Sequence, residues 1–315
     1  MVTFSLTPTP PFRLDLTAWT LRRRADNLID RWDGQTYRRV VTMEGAAVEL
    51  AVTQSGAPDA PLLQVTLNGP GLAPKAESAA REVLERTLGL SVDLSEFYRF
   101  AETDTRLDPL VRRFRGVKPP RLPSIFETLV NAIACQQITL TQGIRLLNRL
   151  SQTYGVAAPP EMEGGAAPHA FPRPDDLAAT EPQDLKALGF STNKGRALVE
   201  LARSIVQRTV NLDTLPTLDD DTVMARLLAL RGVGRWTAEY VLLRGLGRTD
   251  TFPGDDVGAR NNLRRWLGIA EEMDYAAVQR ALAGWKPYSG LIYFHLLLLR
   301  LSELGYVRAE ASDQG

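Results

Sequence analysis

From about Ser124 onward, apolar residues recur at helical spacing, first through Phe126, Leu129, Val130 and Ile133 and then on to Leu146, Leu147 and Leu150. Before that point the pattern is mixed. It predicts a helix over Trp19–Ile29, strands over Tyr37–Thr42, Ala47–Thr53 and Leu62–Leu67 separated by turns that carry glycine, and a second helix over Glu77–Leu88. A stretch rich in Ala, Pro and Gly, from Val156 to Pro174, breaks the helical pattern and reads as a flexible surface loop. Helices resume near Asp175, Gln183, Asn193, Asp219, Arg235, Asp256 and Tyr275, and the unbroken apolar centre of Ser289–Leu304 predicts a buried core helix. The expected fold is an α+β N-terminal domain, residues 1–103, followed by an all-α body, residues 104–315, of two lobes with a cleft between them.

Two glycines one residue apart punctuate the helical part, in Leu230-Arg231-Gly232-Val233-Gly234-Arg235-Trp236-Thr237-Ala238. Val223, Leu227 and Leu230 form an apolar face before them, and Trp236, Tyr240 and Leu243 form one after them, so the joint is a tight helix-turn-helix. Glycine tolerates positive φ and carries no Cβ, which lets backbone N–H groups at the next helix start approach an anion such as a phosphate. Standing alone, the pair would fit helix termination and close packing equally well. Downstream lies Phe252-Pro253-Gly254-Asp255-Asp256-Val257-Gly258, where either aspartate suits the N-cap of the following helix or a fixed negative charge.

With 315 residues and 44% apolar content, the chain can bury a substantial core. The single cysteine, Cys135, excludes an intramolecular disulfide framework and a cysteine metal site, and it suits a reducing cytoplasm. The N-terminus lacks a basic segment followed by an apolar core, and no later stretch is apolar enough for a bilayer, so a cytoplasmic protein without a membrane partner is expected. A net charge of +0 and a pI of about 6.8 mean that any affinity for nucleic acid must be local. The run containing Arg106, Arg112, Arg113, Arg115, Lys118 and Arg121 suits either such a patch or a solvated linker. Lys194, Arg196 and Arg203 form a smaller basic set.

The run LRGVGRWTAEY resembles the helix-hairpin-helix element of the DNA glycosylase superfamily named for that hairpin and a downstream Gly/Pro-Asp loop, here FPGDDVG. Ala132-Ile133-Ala134-Cys135-Gln136-Gln137-Ile138, Leu185-Lys186-Ala187-Leu188-Gly189 and Trp285-Lys286-Pro287-Tyr288 are similar to segments of the bacterial 3-methyladenine DNA glycosylase II family. The likeness is strong over the last two thirds of the chain and holds in outline before that. Arg231 departs from it, standing where the family's hairpin usually has proline.

The resemblance implies a monofunctional DNA glycosylase that flips an alkylated purine, N3- or N7-methylated, out of double-stranded DNA and hydrolyses its N-glycosidic bond. It puts the catalytic carboxylate on Asp256, where a fixed anion would stabilise an oxocarbenium-like sugar. Trp236 and Tyr240, one helical turn apart, would face a cationic base with their rings, with Phe126, Tyr288, Tyr293 and Trp285 as further liners. Leu297 stands where the family has another pocket tryptophan. Backbone phosphates would meet Gly232, Val233, Gly234, Thr237 and Lys194, and Gln137 or Ile138 would fill the gap left by the flipped nucleotide. His169 reads as solvated and His295 as a core histidine, which leaves no obvious imidazole acid; alkylated purines already carry positive charge and depart without one. No cofactor or side-chain metal is expected, because one cysteine cannot hold an iron-sulfur cluster, and Trp236 occupies the place of the lysine found in lyase members. The expected partner is duplex DNA and the expected state a monomer. Two other readings stay open: a non-catalytic helix-hairpin-helix DNA-binding protein, and a metal-dependent nuclease built from Asp219, Asp220, Asp221 and Asp255, although capping explains a triple aspartate at a helix start.

Overall fold

The computed structural model describes residues 1–72, 75–159 and 167–307. Alternating burial in the first third builds a five-stranded antiparallel sheet from β1 (Val2–Leu6), β2 (Arg31–Trp32), β3 (Thr36–Met43), β4 (Ala46–Ser55) and β5 (Leu62–Asn68), in the order β1-β5-β4-β3-β2. The β3–β4 hairpin turns on Glu44 and Gly45, both at positive φ, which matches the twist of the flanking strands. Leu50, Val52, Leu63, Val65 and Leu67 point into a core shared with α1 (Leu14–Arg22) and α2 (Ala76–Leu88).

Three strands and α2 lie where the pattern predicts them; β1 and β2 are additions. The helix expected over Trp19–Ile29 starts and stops earlier. It ends at Arg23, whose φ of 58° breaks the helix while its N–H closes the last turn on Trp19 O at 2.8 Å. The chain then turns irregularly, with Asn27 Oδ1 accepting from the N–H groups of Ile29 and Asp30.

The remainder is helical: α3 (Ser95–Glu102), α4 (Leu107–Arg113), α5 (Ile125–Cys135), α6 (Leu140–Tyr154), α7 (Pro174–Ala178), α8 (Pro182–Ala187), α9 (Thr192–Val206), α10 (Asp220–Leu228), α11 (Arg235–Val241), α12 (Val257–Leu267), α13 (Tyr275–Leu282) and α14 (Ser289–Glu303). One apolar core, with Leu129, Ile133, Leu147, Leu198, Val223 and Val241, joins α5, α6, α9, α10 and α11. A second, around Leu263, Phe294 and Leu298, joins α12 and α14 to Leu16 and Trp19 of α1 and to Phe97 and Tyr98 of α3. Trp285 Nε1 donates to Asp104 at 2.6 Å and fixes another point of that second core.

Several polar residues find their places here. Much of the basic run is engaged by the protein: Arg112 pairs with Asp108, Arg113 donates to Ser302, Arg115 lies over the Tyr98 ring, and buried Lys118 donates to Val92 O. Burial pulls the Lys118 ammonium down to about 8. The stretch read as a flexible loop is anchored at both ends, because Ala157 bridges to His169 and buried Ala158 and Ala170 pack on Val40 and Ala47. Its middle, residues 160–166, lies outside the described residues. His169 is therefore half-buried rather than solvated. His295 is a core residue, T-shaped against Phe97, and burial lowers it to about 4. No helix among the described residues is long and apolar enough to cross a membrane.

The sheet is tied to the helical part by charge. Arg39 of β3, fully buried, donates to Asp30 at 2.6 Å and to Glu127 of α5, while Tyr37 donates to the same Asp30 oxygen at 2.7 Å. Burial pushes the Glu127 carboxyl up, and Arg39 opposes that shift.

Candidate active site

The two glycines of the hairpin do different work. Gly232 sits at φ 77°, and a Cβ there would come within 2.9 Å of Ala197 Cβ on α9, so the turn needs both the left-handed backbone and the missing side chain. Gly234 is extended and N-caps α11 with no side-chain cap, and a Cβ there would meet nothing within 4 Å. Its face is open. Val233 is buried in the α5–α11 core.

The C-terminal end of α5 is fastened to this hairpin. Gln136 Nε2 donates to Gly232 O at 2.8 Å and to Oγ1 of buried Thr237 at 2.9 Å. Lys194 Nζ donates to Ala134 O and Gln136 O at 2.9 and 2.6 Å, capping the last carbonyls of α5. Burial lowers its pKa, and two of its three donors are engaged by these carbonyls. Gln137 then adopts φ 54°, uncommon for a residue with a side chain, and it and Ile138 are exposed beside a large cavity.

The Asp-bearing loop is assembled from α11 and α13. Glu239 accepts from Gly254 N at 3.2 Å and from the Tyr275 hydroxyl at 2.6 Å. The Tyr275 ring packs so closely on Gly254 that a Cβ would approach it to 2.7 Å. Arg235 lies 3.8 Å over that ring and donates to Asp255 Oδ2 at 2.7 Å. Burial raises the Glu239 carboxyl, with Asp255 adding to the effect and the Tyr275 hydrogen bond opposing it. Asp255 is thus held by Arg235, whereas Asp256 turns its Oδ1 to the N–H of Ala259, at 2.9 Å, and caps α12. The capping role of Asp256 leaves it on the border of the cavity, so the cap does not exclude the charge reading.

That cavity, about 1100 Å³, brings Asp256 together with Trp236, Tyr240, Tyr293, Gln137 and Ile138. The Trp236 and Tyr240 rings lie 5.7 Å apart, tilted by 42°. Burial, reinforced by the charge of Asp256, raises the Tyr293 hydroxyl and keeps it protonated. Leu297 borders the same space. Phe126, Tyr288 and Trp285 do not: Phe126 is buried in the α5–α11 core, Tyr288 packs on Phe97 and Phe100, and Trp285 packs on Trp266. Asp219 caps α10 through Thr222 N and Asp220 pairs with Arg248 at 3.1 Å. Among the described residues no group of three or more His, Cys, Asp or Glu is placed to hold a metal.

Residues that the pattern of the sequence does not single out complete the wall. Arg23, at the end of α1, donates to the Tyr240 hydroxyl at 3.2 Å and to Asn131 Oδ1 at 3.0 Å, and Tyr240 in turn donates to Asn131 at 3.1 Å. Glu239 and Tyr275 shape the loop from behind. Nothing local marks these contacts, since Arg23 and Tyr240 are 217 positions apart.

DNA-3-methyladenine glycosylase 2 of Escherichia coli is 33% identical over 181 residues, 58% of this chain and 60% of that protein. The chain therefore matches somewhat under two thirds of that relative's length. A DNA-3-methyladenine glycosylase of Bacillus subtilis is 26% identical over 207 residues, 66% of this chain and 67% of that protein. A solved 3-methyladenine DNA-glycosylase from Archaeoglobus fulgidus shares the fold, with a TM-score of 0.79 at 24% identity over 96% of this chain and 98% of that one. The sequence pattern of one family spans residues 130–287, from α5 through the hairpin and the Asp-bearing loop, and by that match the chain belongs to the HhH-GPD superfamily of base excision DNA repair proteins.

Proposed function

We propose that this protein is a monofunctional DNA glycosylase that flips an alkylated purine, N3- or N7-methylated, out of duplex DNA and hydrolyses its N-glycosidic bond, acting as a cytoplasmic monomer without a cofactor. One observation carries the reading: Asp256 borders the same cavity as Trp236, Tyr240 and Tyr293, with Gln137 and Ile138 exposed beside it. A flipped base between the aromatic faces would bring its sugar toward the carboxylate, which stabilises positive charge developing at C1′. Gln137 or Ile138 would enter the vacated stack, and the body would read as two helical lobes on either side of that base.

Incubation with methylated duplex DNA, with free bases identified by mass, tests the activity. The expected products are methylated purines and intact strands carrying abasic sites. Trp236 supplies no amine where a Schiff base would form, so borohydride during turnover should trap no protein–DNA adduct. Efficient trapping would replace the hydrolytic mechanism by a lyase one, and absence of any released base alongside tight DNA binding would favour a non-catalytic binding protein.

The hairpin would hold the phosphate backbone through Gly232, Val233, Gly234 and Thr237. Gly234→Val has room in the protein, so it should fold normally and weaken binding to every duplex alike. Wild-type affinity should fall by about 0.9 log unit per log salt for each phosphate neutralised. Unchanged affinity in a folded Gly234→Val protein would leave the hairpin with packing as its role.

A further inference from the structure

Arg23 is 6% exposed and borders the cavity that holds Asp256. Its two terminal nitrogens donate to neutral partners, the Tyr240 hydroxyl and Asn131 Oδ1, and no carboxylate lies within ion-pair distance among the described residues. A guanidinium stays charged in such surroundings, and a buried charge without a counter-ion is costly to the fold. The position is costly in its backbone too, since Arg23 lies at φ 58°. The fold thus brings a fixed positive charge from the end of α1 to the wall formed by Tyr240, on the same cavity as the carboxylate that would face the sugar.

Such a charge has opposite effects on two kinds of base. Hydrolysis breaks the bond between C1′ and the base nitrogen, and the electron pair of that bond goes to the base, while water adds its oxygen to C1′ and releases a proton. A methylated purine that already carries positive charge leaves neutral and needs no help. An uncharged damaged purine leaves with a negative charge until it takes up the proton from water, and no imidazole borders this cavity to supply one earlier. A guanidinium beside the ring stabilises that developing charge and disfavours a base bearing fixed positive charge. We propose that Arg23 is a specificity-determining residue that extends the site to uncharged damaged purines, at some expense to the cationic ones. This inference rests on the base-release reading above.

The test compares single-turnover release from duplexes carrying one hypoxanthine or one 7-methylguanine. In Arg23→Gln the hypoxanthine-to-7-methylguanine rate ratio should fall by about tenfold or more, the effect expected from losing a charged hydrogen-bond donor. Arg23→Lys, which keeps the charge on a shorter stem, should recover part of the ratio. An unchanged ratio, with both rates falling together or neither moving, overturns the inference. The wild type gives a second reading that requires no variant to fold: its acceleration over spontaneous base loss should be greater for hypoxanthine than for 7-methylguanine, and the reverse order overturns the proposal. Release of 7-methylguanine without hypoxanthine removes this inference alone, whereas release of neither removes the glycosylase reading along with it.

Discussion

Asp256→Asn is expected to slow base release by on the order of 100- to 1,000-fold under single-turnover conditions while DNA affinity stays within a few fold. Asparagine is as good an N-cap as aspartate, so its carbonyl oxygen can keep the bond from Ala259 N that now measures 2.9 Å. The substitution therefore removes the charge and leaves the helix start intact, which separates the proposed role from the observed cap. Asp255→Asn should lose much less, because that carboxylate is engaged by Arg235. A rate for Asp256→Asn equal to that of the wild type would place the catalytic charge elsewhere.

The second large effect concerns stability. Arg39→Ala leaves Asp30 and Glu127 buried without their shared cation, and breaking a buried pair in this way costs about 3–5 kcal/mol. Urea denaturation should show a midpoint lowered accordingly. Adding Glu127→Gln to Arg39→Ala should recover part of the loss, since one of the two stranded charges is then gone. A single variant as stable as the wild type would mean that water reaches the site and screens it.

What could be read from the chain alone was what is local. The hairpin, the Asp-bearing loop and the starts of the helices from α7 onward are written in contiguous residues whose backbone demands are specific, as at Gly232, whereas the break between α5 and α6 is not. Face was harder. Phe126 and Tyr288 share the apolar character of Tyr240 and Tyr293, and periodicity marks a buried face without saying whether it meets a cavity or a core. The charge of Lys194 is legible in the chain, but the two bonds it makes to carbonyls at the end of α5 are not. The early helix was displaced because its stop signal is Arg23 in a left-handed conformation, a choice that charge and polarity do not announce. That same residue reaches the site only through the fold.

The second apolar core bears on how such proteins can be recombined. Leu16 and Trp19 of α1 and Phe97 of α3 are packed among residues of α12 and α14, with the Tyr306 ring tilted against Trp19 at 5.1 Å. A chimera that kept the helices from α5 onward and took its leading segment from a distant relative would break that packing at the seam. It would also install a foreign side chain at position 23, against Tyr240. The leading segment and the later helices are thus poor candidates for exchange as independent modules, and a graft that preserves this packing and the Arg23–Tyr240 contact has to carry α1 and Arg23 along with the hairpin.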